Sequence, residues 1–99
     1  VMKENLKYFE SFVYKAQALR RPGSASLDLC YTACGRLDGF WELNLAPWDT
    51  AAGALIVLEA GGKVTNMRSS FFNIHEKSII ASNGLIHSQM QDIISSAKI

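Results

Sequence analysis

The chain has 99 residues, a length that accommodates one domain and not two. Its composition, 48% hydrophobic and 19% charged, is typical of a globular protein. The formal net charge of +1 provides no bulk attraction for a polyanion such as nucleic acid. No apolar run approaches the length of about 18 residues that a membrane helix needs. The composition therefore predicts neither a nucleic-acid partner nor a membrane-spanning segment.

The first residue is Val1, not a methionine, and a helical pattern follows it at once. We therefore expect the chain to be part of a longer polypeptide. Cys30 and Cys34 lie four residues apart on one face of a predicted helix, and no second pair of cysteines completes a zinc site. We expect these thiols to be buried and the protein to be cytoplasmic, where thiols stay reduced.

The spacing of apolar residues predicts alternating helices and strands. In chain order the predicted elements are helix 3–16, a short extended strand at 18–20, helix 25–34, strand 40–43, helix 49–60, strand 63–65, a polar loop at 66–76, strand 78–81 and helix 84–97. This order predicts an α/β fold in which helices cover a sheet. The helix at 49–60 is apolar almost all round, which predicts its burial between layers.

Asp49 follows Pro47 and Trp48 and opens a helix rich in small residues. An acidic side chain at a helix N-terminus accepts hydrogen bonds from free backbone N–H groups and is stabilised by the helix dipole. The same position suits a metal ion or a phosphate group. From spacing alone, Asp49 is either a helix cap or a ligand for such a group. We expect the large side chain of Trp48 to lie in the core.

A second candidate for anion binding is the turn formed by Gly23, Ser24 and Ala25, which leads into a helix and presents free N–H groups. Ser24 also suits an ordinary helix cap. Arg20, just upstream, has the fork of donors that binds a phosphate or a carboxylate, and it equally suits a surface salt bridge.

Glu42 is a third candidate, because alternation in a strand places its neighbours Trp41 and Leu43 on the opposite face. A carboxylate there accepts hydrogen bonds from a polyol, or it simply faces solvent. His75 and His87 have no arrangement of partners in the sequence, and we expect both to be solvated. No combination of a nucleophile with a histidine base is evident.

The residues at 48–62, WDTAAGALIVLEAGG, resemble the C-terminal signature of the inositol monophosphatase family. The upstream segments RRPGSA at 20–25 and CGRLDGFWE at 34–42 also resemble that family, especially its bacterial members. The three blocks have the family's order and spacing, and the similarity is looser at the ends and at 66–76. The resemblance implies the layered sheet-and-helix sandwich of inositol monophosphatases and sugar phosphatases, of which residues 1–99 form the C-terminal half.

The resemblance also implies a Mg²⁺-dependent, lithium-sensitive phosphatase that releases phosphate from a polyol, most simply inositol 1-phosphate. In the family, the residue matching Asp49 ligates catalytic magnesium and contacts the substrate, and the residue matching Glu42 binds inositol hydroxyls. The other substrate contacts that the resemblance implies are Arg20, Gly23, Ser24 and Ala25. A homodimer is also implied.

The family's first motif, Asp-Pro-(Ile/Leu)-Asp-Gly-Thr, and the upstream Glu that shares its metal are absent from this sequence. Magnesium prefers six oxygen ligands and takes its carboxylates from more than one segment, so Asp49 alone does not complete a site. We expect an N-terminal half of the same protein to hold the other ligands. We also expect the isolated chain to be inactive and poorly soluble.

Three alternatives stay open. Within the superfamily, the substrate is fructose 1,6-bisphosphate or a nucleotide 3′-phosphate instead of an inositol phosphate. Glu42 favours a neutral polyol, because its carboxylate repels a second phosphate group. In a different class, bacterial relatives act as regulatory factors associated with RNA polymerase, where binding and not hydrolysis matters.

Overall fold

A computed structural model describes residues 2–20, 23–68, 70–73 and 75–97 of the chain. Within these ranges the helices are α1 (Met2–Val13), α2 (Ala25–Ala33), α3 (Pro47–Glu59) and α4 (His87–Ser96), and the strands are β1 (Gly39–Glu42), β2 (Lys63–Thr65) and β3 (Ile79–Ser82). None of the described helices has the length and apolar character required to cross a membrane.

The α/β fold predicted from the sequence is confirmed, with shifted helix ends. The strand predicted at 18–20 is wrong, because these residues pair with none of the described strands and have no regular structure. The helix expected to begin at Asp49 begins two residues earlier, at Pro47. Proline suits the first turn of a helix, because an N–H group at that position would have no acceptor within the helix and its absence therefore costs nothing.

The sheet has three strands in the order β1-β3-β2, with β3 antiparallel to both neighbours. All four residues of β3 are buried. Successive side chains of a strand point to opposite faces, so the two faces of β3 are covered separately. Ile79 and Ala81 pack on one side with α2 and α3, and Ile80 packs on the other side with α1 and α4.

Helices α2 and α3 pack closely against each other because α3 has a glycine at the contact. A Cβ atom added to Gly53 would lie 2.7 Å from Cδ1 and 2.8 Å from Cβ of Leu29 in α2. Leu29 and Val57 are fully buried between these helices and the sheet. Glycine at this position therefore determines how near the two helices, and the residues at their N-termini, approach.

Trp41 in β1 is the centre of the opposite layer. Its ring lies 5.5 Å from Tyr8 in an edge-to-face arrangement and 5.6 Å from Phe12 in a stacked one. Leu43 packs in the same cluster, whereas Phe40 packs on the α2–α3 side. The predicted alternation along β1 is thus confirmed.

The prediction that α3 is buried all round is wrong. Only one face of α3 packs on α2 and the sheet, and Leu55, Ile56 and Leu58 on its other face are 58%, 44% and 53% exposed. Apolar composition alone does not show which face of a helix packs against another element of this chain.

His87 is the largest departure from expectation in this part of the molecule. It was predicted to be solvated, but the side chain is 1% exposed and lies between β2 and β3 at the start of α4. Its Nε2 atom is 2.9 Å from Thr65 Oγ1, and its Nδ1 atom is 2.7 Å from Ser82 Oγ. Ser82 Oγ also accepts a hydrogen bond from the Gly84 N–H, and its hydroxyl can donate to Nδ1 or accept from it, depending on the tautomer of the ring.

Each hydroxyl can donate or accept, so a neutral ring has a hydrogen-bond partner on both nitrogens in either tautomer. Burial lowers the pKa of His87 below 6.5, and the nearby charge of Lys63 lowers the pKa further. A buried histidine that stays neutral in the fold binds fewer protons than the same residue in the unfolded chain.

We expect the free energy of unfolding to decrease as the pH falls below 6.5, because the unfolded chain then takes up a proton that folded His87 resists. Urea unfolding between pH 7.5 and pH 5, as experimental conditions, should show this slope. His87→Gln should flatten it, whereas His75→Gln, at an exposed loop position, should keep it. Identical slopes in the wild type and His87→Gln would rule out this role for His87.

Candidate functional site

Asp49 lies in the first turn of α3, where its carboxylate is fixed by the backbone. The N-cap residue is Ala46, which has no capping side chain, and Asp49 is the third residue of the helix. Asp49 Oδ2 accepts a hydrogen bond of 2.9 Å from the Ala46 N–H. Asp49 is therefore not the cap residue itself, but it supplies the reciprocal half of a capping box. Its other oxygen, Oδ1, accepts no hydrogen bond from the described residues.

The N-terminus of α2 is a second cluster of exposed backbone donors. Ser24 is its cap residue, and its hydroxyl accepts a hydrogen bond of 3.4 Å from the Leu27 N–H. Gly23 precedes it with a φ of +94°, a conformation that glycine adopts without steric cost. The N–H groups of the first turn have no acceptor within the helix, so they are available to an anion. Arg21 and Pro22, which belong to the RRPGSA segment, lie outside the described residues.

Ser26 connects the two helix N-termini. Its hydroxyl donates to the backbone carbonyl of Asp49 at 3.2 Å, a contact between residues that are 23 positions apart in the sequence. The turn at 23–25 and Asp49 are thus brought to the same corner of the molecule. Sequence reasoning missed Ser26, because a serine in the first turn of a helix is common and its partner is far away in the chain.

Glu42 and Arg20 share one feature of the surface. Both lie along a hollow of about 1140 Å³ that also borders α1 and α4. Asp49 and the residues 23–25 are not among those that line it. Arg20 is exposed, and its Nη1 atom donates to the carbonyl of Leu19 at 2.9 Å. Glu42 is half-buried at the end of β1 and pairs in register with Ile79.

Asp28 in α2 is a buried carboxyl group that sequence reasoning did not single out. It is 3% exposed, and its Oδ1 atom has no hydrogen-bond partner among the described residues. Burial raises the pKa of Asp28 above 3.8. The helical spacing along α2 is the signal that could have found it. Asp28 lies next to Leu29 and four residues before Thr32, and these three residues form the buried face of the helix.

Other expectations about single side chains are wrong. Trp48 was expected in the core, but it is 82% exposed at the start of α3. Cys34 is exposed and Cys30 is half-buried, so neither thiol is fully enclosed.

The donor set around Asp49 fits a magnesium ion as one ligand and not as a complete site. Asp49 Oδ1 is a carboxylate oxygen of the type that Mg²⁺ binds. Within the described ranges, however, no group of three or more His, Cys, Asp or Glu side chains is placed to hold a metal ion. Further ligands would have to come from residues other than these.

Two helix N-termini side by side, one with a carboxylate and one with free N–H groups, suit the joint binding of a cation and an anion. The chain carrying them is an α/β domain that belongs to the inositol monophosphatase family, whose sequence profile matches residues 2–98.

Several proteins are similar to this chain over most of its length. A putative Nus factor SuhB from Neisseria meningitidis serogroup B is 50% identical over 95 residues, which is 96% of this chain and 36% of that protein. An inositol-1-monophosphatase from Synechocystis is 42% identical over 93 residues, covering 94% of this chain and 32% of that protein. The structure of inositol monophosphatase from Anabaena superimposes with a TM-score of 0.91 at 41% identity, over 95% of this chain and 37% of that one.

The chain therefore spans about a third of the length of these relatives. The resemblance stated from the three sequence blocks is confirmed, and so is the fold that it implied.

We expect Asp28→Asn to raise the free energy of unfolding at pH 7, because burial disfavours the charge of the carboxylate and the amide of the same shape carries none. The raised pKa means that the folded chain holds a proton that the unfolded chain releases, so wild-type stability falls as the pH rises above 3.8. The advantage of Asp28→Asn should therefore shrink as the pH is lowered towards 4.

Denaturant unfolding at several pH values measures this effect. Asp38→Asn is the matched control. Asp38 and Asp28 both line the hollow that borders α1 and α4, but Asp38 is exposed. Equal stability of Asp28→Asn and the wild type at every pH would contradict the expectation.

Proposed function

We propose that this chain is the C-terminal part of a Mg²⁺-dependent phosphatase that releases phosphate from a polyol phosphate, with inositol 1-phosphate as the preferred substrate. The observation that carries the proposal is the contact between the two helix N-termini, where Ser26 joins the α2 turn to Asp49. Membership of the inositol monophosphatase family supports the same reading.

In this proposal Asp49 acts through the oxygen that the backbone leaves available. Oδ2 stays hydrogen-bonded to Ala46, which fixes the orientation of the carboxylate, and Oδ1 ligates the metal. A bound Mg²⁺ ion would neutralise phosphoryl oxygens and lower the pKa of a water molecule. Carboxylates from an N-terminal part of the same protein would complete its ligand set, because magnesium needs ligands from several segments.

The α2 turn binds the substrate on the adjacent side. The free N–H groups after Gly23 and Ser24 donate to an anionic or hydroxyl oxygen, and Ala25 allows close approach because its side chain is small. The Ser24 hydroxyl stabilises this turn, because it caps α2 by accepting a hydrogen bond from the Leu27 N–H.

Glu42 and Arg20 select the rest of the substrate. Glu42 accepts hydrogen bonds from polyol hydroxyls, and Arg20 provides a guanidinium on the same hollow. A second phosphate would be repelled by Glu42, which favours an inositol phosphate over fructose 1,6-bisphosphate. Release of phosphate from these two compounds and from a nucleotide 3′-phosphate, measured side by side, decides between the three substrates.

We expect Asp49→Asn in the complete polypeptide to lower Mg²⁺-dependent phosphate release more than about 100-fold. Changes in groups that merely orient a metal ligand cost 10- to 100-fold, and loss of a ligand's charge should cost more. Folding should be retained, because the Asn side-chain oxygen still accepts the hydrogen bond from Ala46. Initial rates at saturating Mg²⁺, with Glu10→Gln at an exposed position of α1 outside the hollow as the control, test this.

A complete polypeptide that releases no phosphate from any sugar or polyol phosphate, at any magnesium concentration, would disprove the proposed activity. An Asp49→Asn variant that keeps wild-type rates and wild-type metal affinity would disprove the assigned role of Asp49.

A regulatory function is the second candidate, because the 50% identical relative from Neisseria is named a putative Nus factor. In that reading the protein acts by binding, as a factor associated with RNA polymerase, and hydrolysis is dispensable. The Asp49→Asn variant separates the two functions. If it supports growth in a strain that lacks the wild-type protein, the cellular role is binding; if it does not, the role is catalytic.

The proposal extends to the setting of the enzyme. We propose a cytoplasmic, lithium-sensitive homodimer. Inhibition of phosphate release by Li⁺ tests the lithium sensitivity, the mass of the native complete polypeptide tests the dimer, and cell fractionation tests the location.

A further inference from the structure

We propose that Ser26 is a positioning residue, which holds the first turn of α3 against α2 so that Asp49 and the α2 turn act as one site. This inference rests on the proposed function and concerns a residue that the family resemblance does not assign. Ser26 does not touch the substrate in this proposal; it acts through the backbone of Asp49.

The contact is placed where it controls the orientation of Asp49. The Ser26 hydroxyl binds the Asp49 carbonyl at 3.2 Å, while the Asp49 carboxylate binds the Ala46 N–H at 2.9 Å. Asp49 is thus held at both its main chain and its side chain, and the main-chain tie comes from the neighbouring helix.

The two helices have a second contact one turn further along each of them. Leu29 lies three residues after Ser26 and Gly53 lies four residues after Asp49, and a Cβ atom added to Gly53 would lie only 2.7 Å from Leu29 Cδ1. The Leu29–Gly53 contact sets the separation of the helices. It is apolar and non-directional, so it does not fix the rotation of their first turns. The hydrogen bond from Ser26 is directional and supplies that constraint.

The hydrogen bond has little part in the stability of the chain. Ser26 is exposed, and an exposed hydrogen bond exchanges readily with water. Its loss should therefore leave the unfolding midpoint almost unchanged while it releases the first turn of α3. Because a displacement of about 1 Å in a catalytic site costs up to 100-fold in rate, a small rotation of Asp49 is measurable.

The test compares Ser26→Ala, Ser26→Thr and Ser95→Ala in the complete polypeptide. Thr keeps the hydroxyl. Ser95 is the matched control, since its hydroxyl also donates to a backbone carbonyl at 3.2 Å on an exposed helix, that of Asp92 in α4. The readouts are the thermal midpoint, the affinity for Mn²⁺ without substrate measured by electron paramagnetic resonance, and KM and kcat for inositol 1-phosphate with Mg²⁺.

We expect Ser26→Ala to weaken Mn²⁺ binding and raise KM by roughly three- to tenfold, the value of one hydrogen bond, with a midpoint like that of Ser95→Ala. Ser26→Thr and Ser95→Ala should match the wild type in affinity and KM. Equal Mn²⁺ affinity in Ser26→Ala and the wild type overturns the inference, as does an effect that Ser26→Thr fails to rescue.

The proposed function fails separately. If the wild-type polypeptide binds Mn²⁺ but releases no phosphate, the activity is disproved, and the Mn²⁺ affinities alone decide the role of Ser26. A wild-type polypeptide that binds no Mn²⁺ overturns both.

Discussion

The architecture depends on β3, a strand whose four residues are buried and which pairs on both sides. Because side chains alternate along a strand, Ile79 and Ala81 require cover on one face and Ile80 requires cover on the other. Burial of an isoleucine side chain contributes about 1.5–3 kcal/mol. The two helical layers satisfy this requirement, and the neighbouring strand β1 follows the same alternation. Glu42 consequently lies on the face opposite to Trp41.

The candidate site arises from the contact between α2 and α3. Two helices that pack side by side, with Gly53 at the closest point, bring their N-termini to one corner. Each N-terminus has backbone donors that the helix leaves unpaired. On α3 one of these donors is bound by the carboxylate of Asp49, and on α2 Ser24 binds another. The bond from Ser26 to the Asp49 carbonyl joins the two N-termini, so this contact between helices creates a candidate site for charged ligands.

The chain tolerates buried ionisable groups by favouring their neutral forms. Burial raises the pKa of Asp28 and lowers the pKa of His87, and each shift is towards the uncharged species. The two cases differ in their partners. His87 has a hydroxyl on each ring nitrogen, whereas Asp28 Oδ1 has none among the described residues. His87 therefore fastens α4 to the sheet, while Asp28 is a cost that the surrounding packing offsets.

The sequence by itself determined the elements whose signals are local. Apolar periodicity, the Pro-Trp-Asp start of α3 and the alternation around Glu42 all act over a few residues, and the α/β fold and the position of Asp49 at a helix N-terminus follow from them. The roles of Asp49, Glu42, Arg20 and the turn at 23–25 came from resemblance to a family and are still predictions.

Only the tertiary structure decided which elements meet. The bond from Ser26 to Asp49 spans 23 residues, and the bond from Thr65 to His87 spans 22. No pattern within one helix or strand specifies such a partner, so Ser26 was missed and His87 was misjudged as solvated. The strand expected at 18–20 failed for the same reason, since a strand exists only where another strand pairs with it. The exposed face of α3 was misjudged for a related reason. An apolar helix is buried only on the sides where another element of the folded chain packs against it.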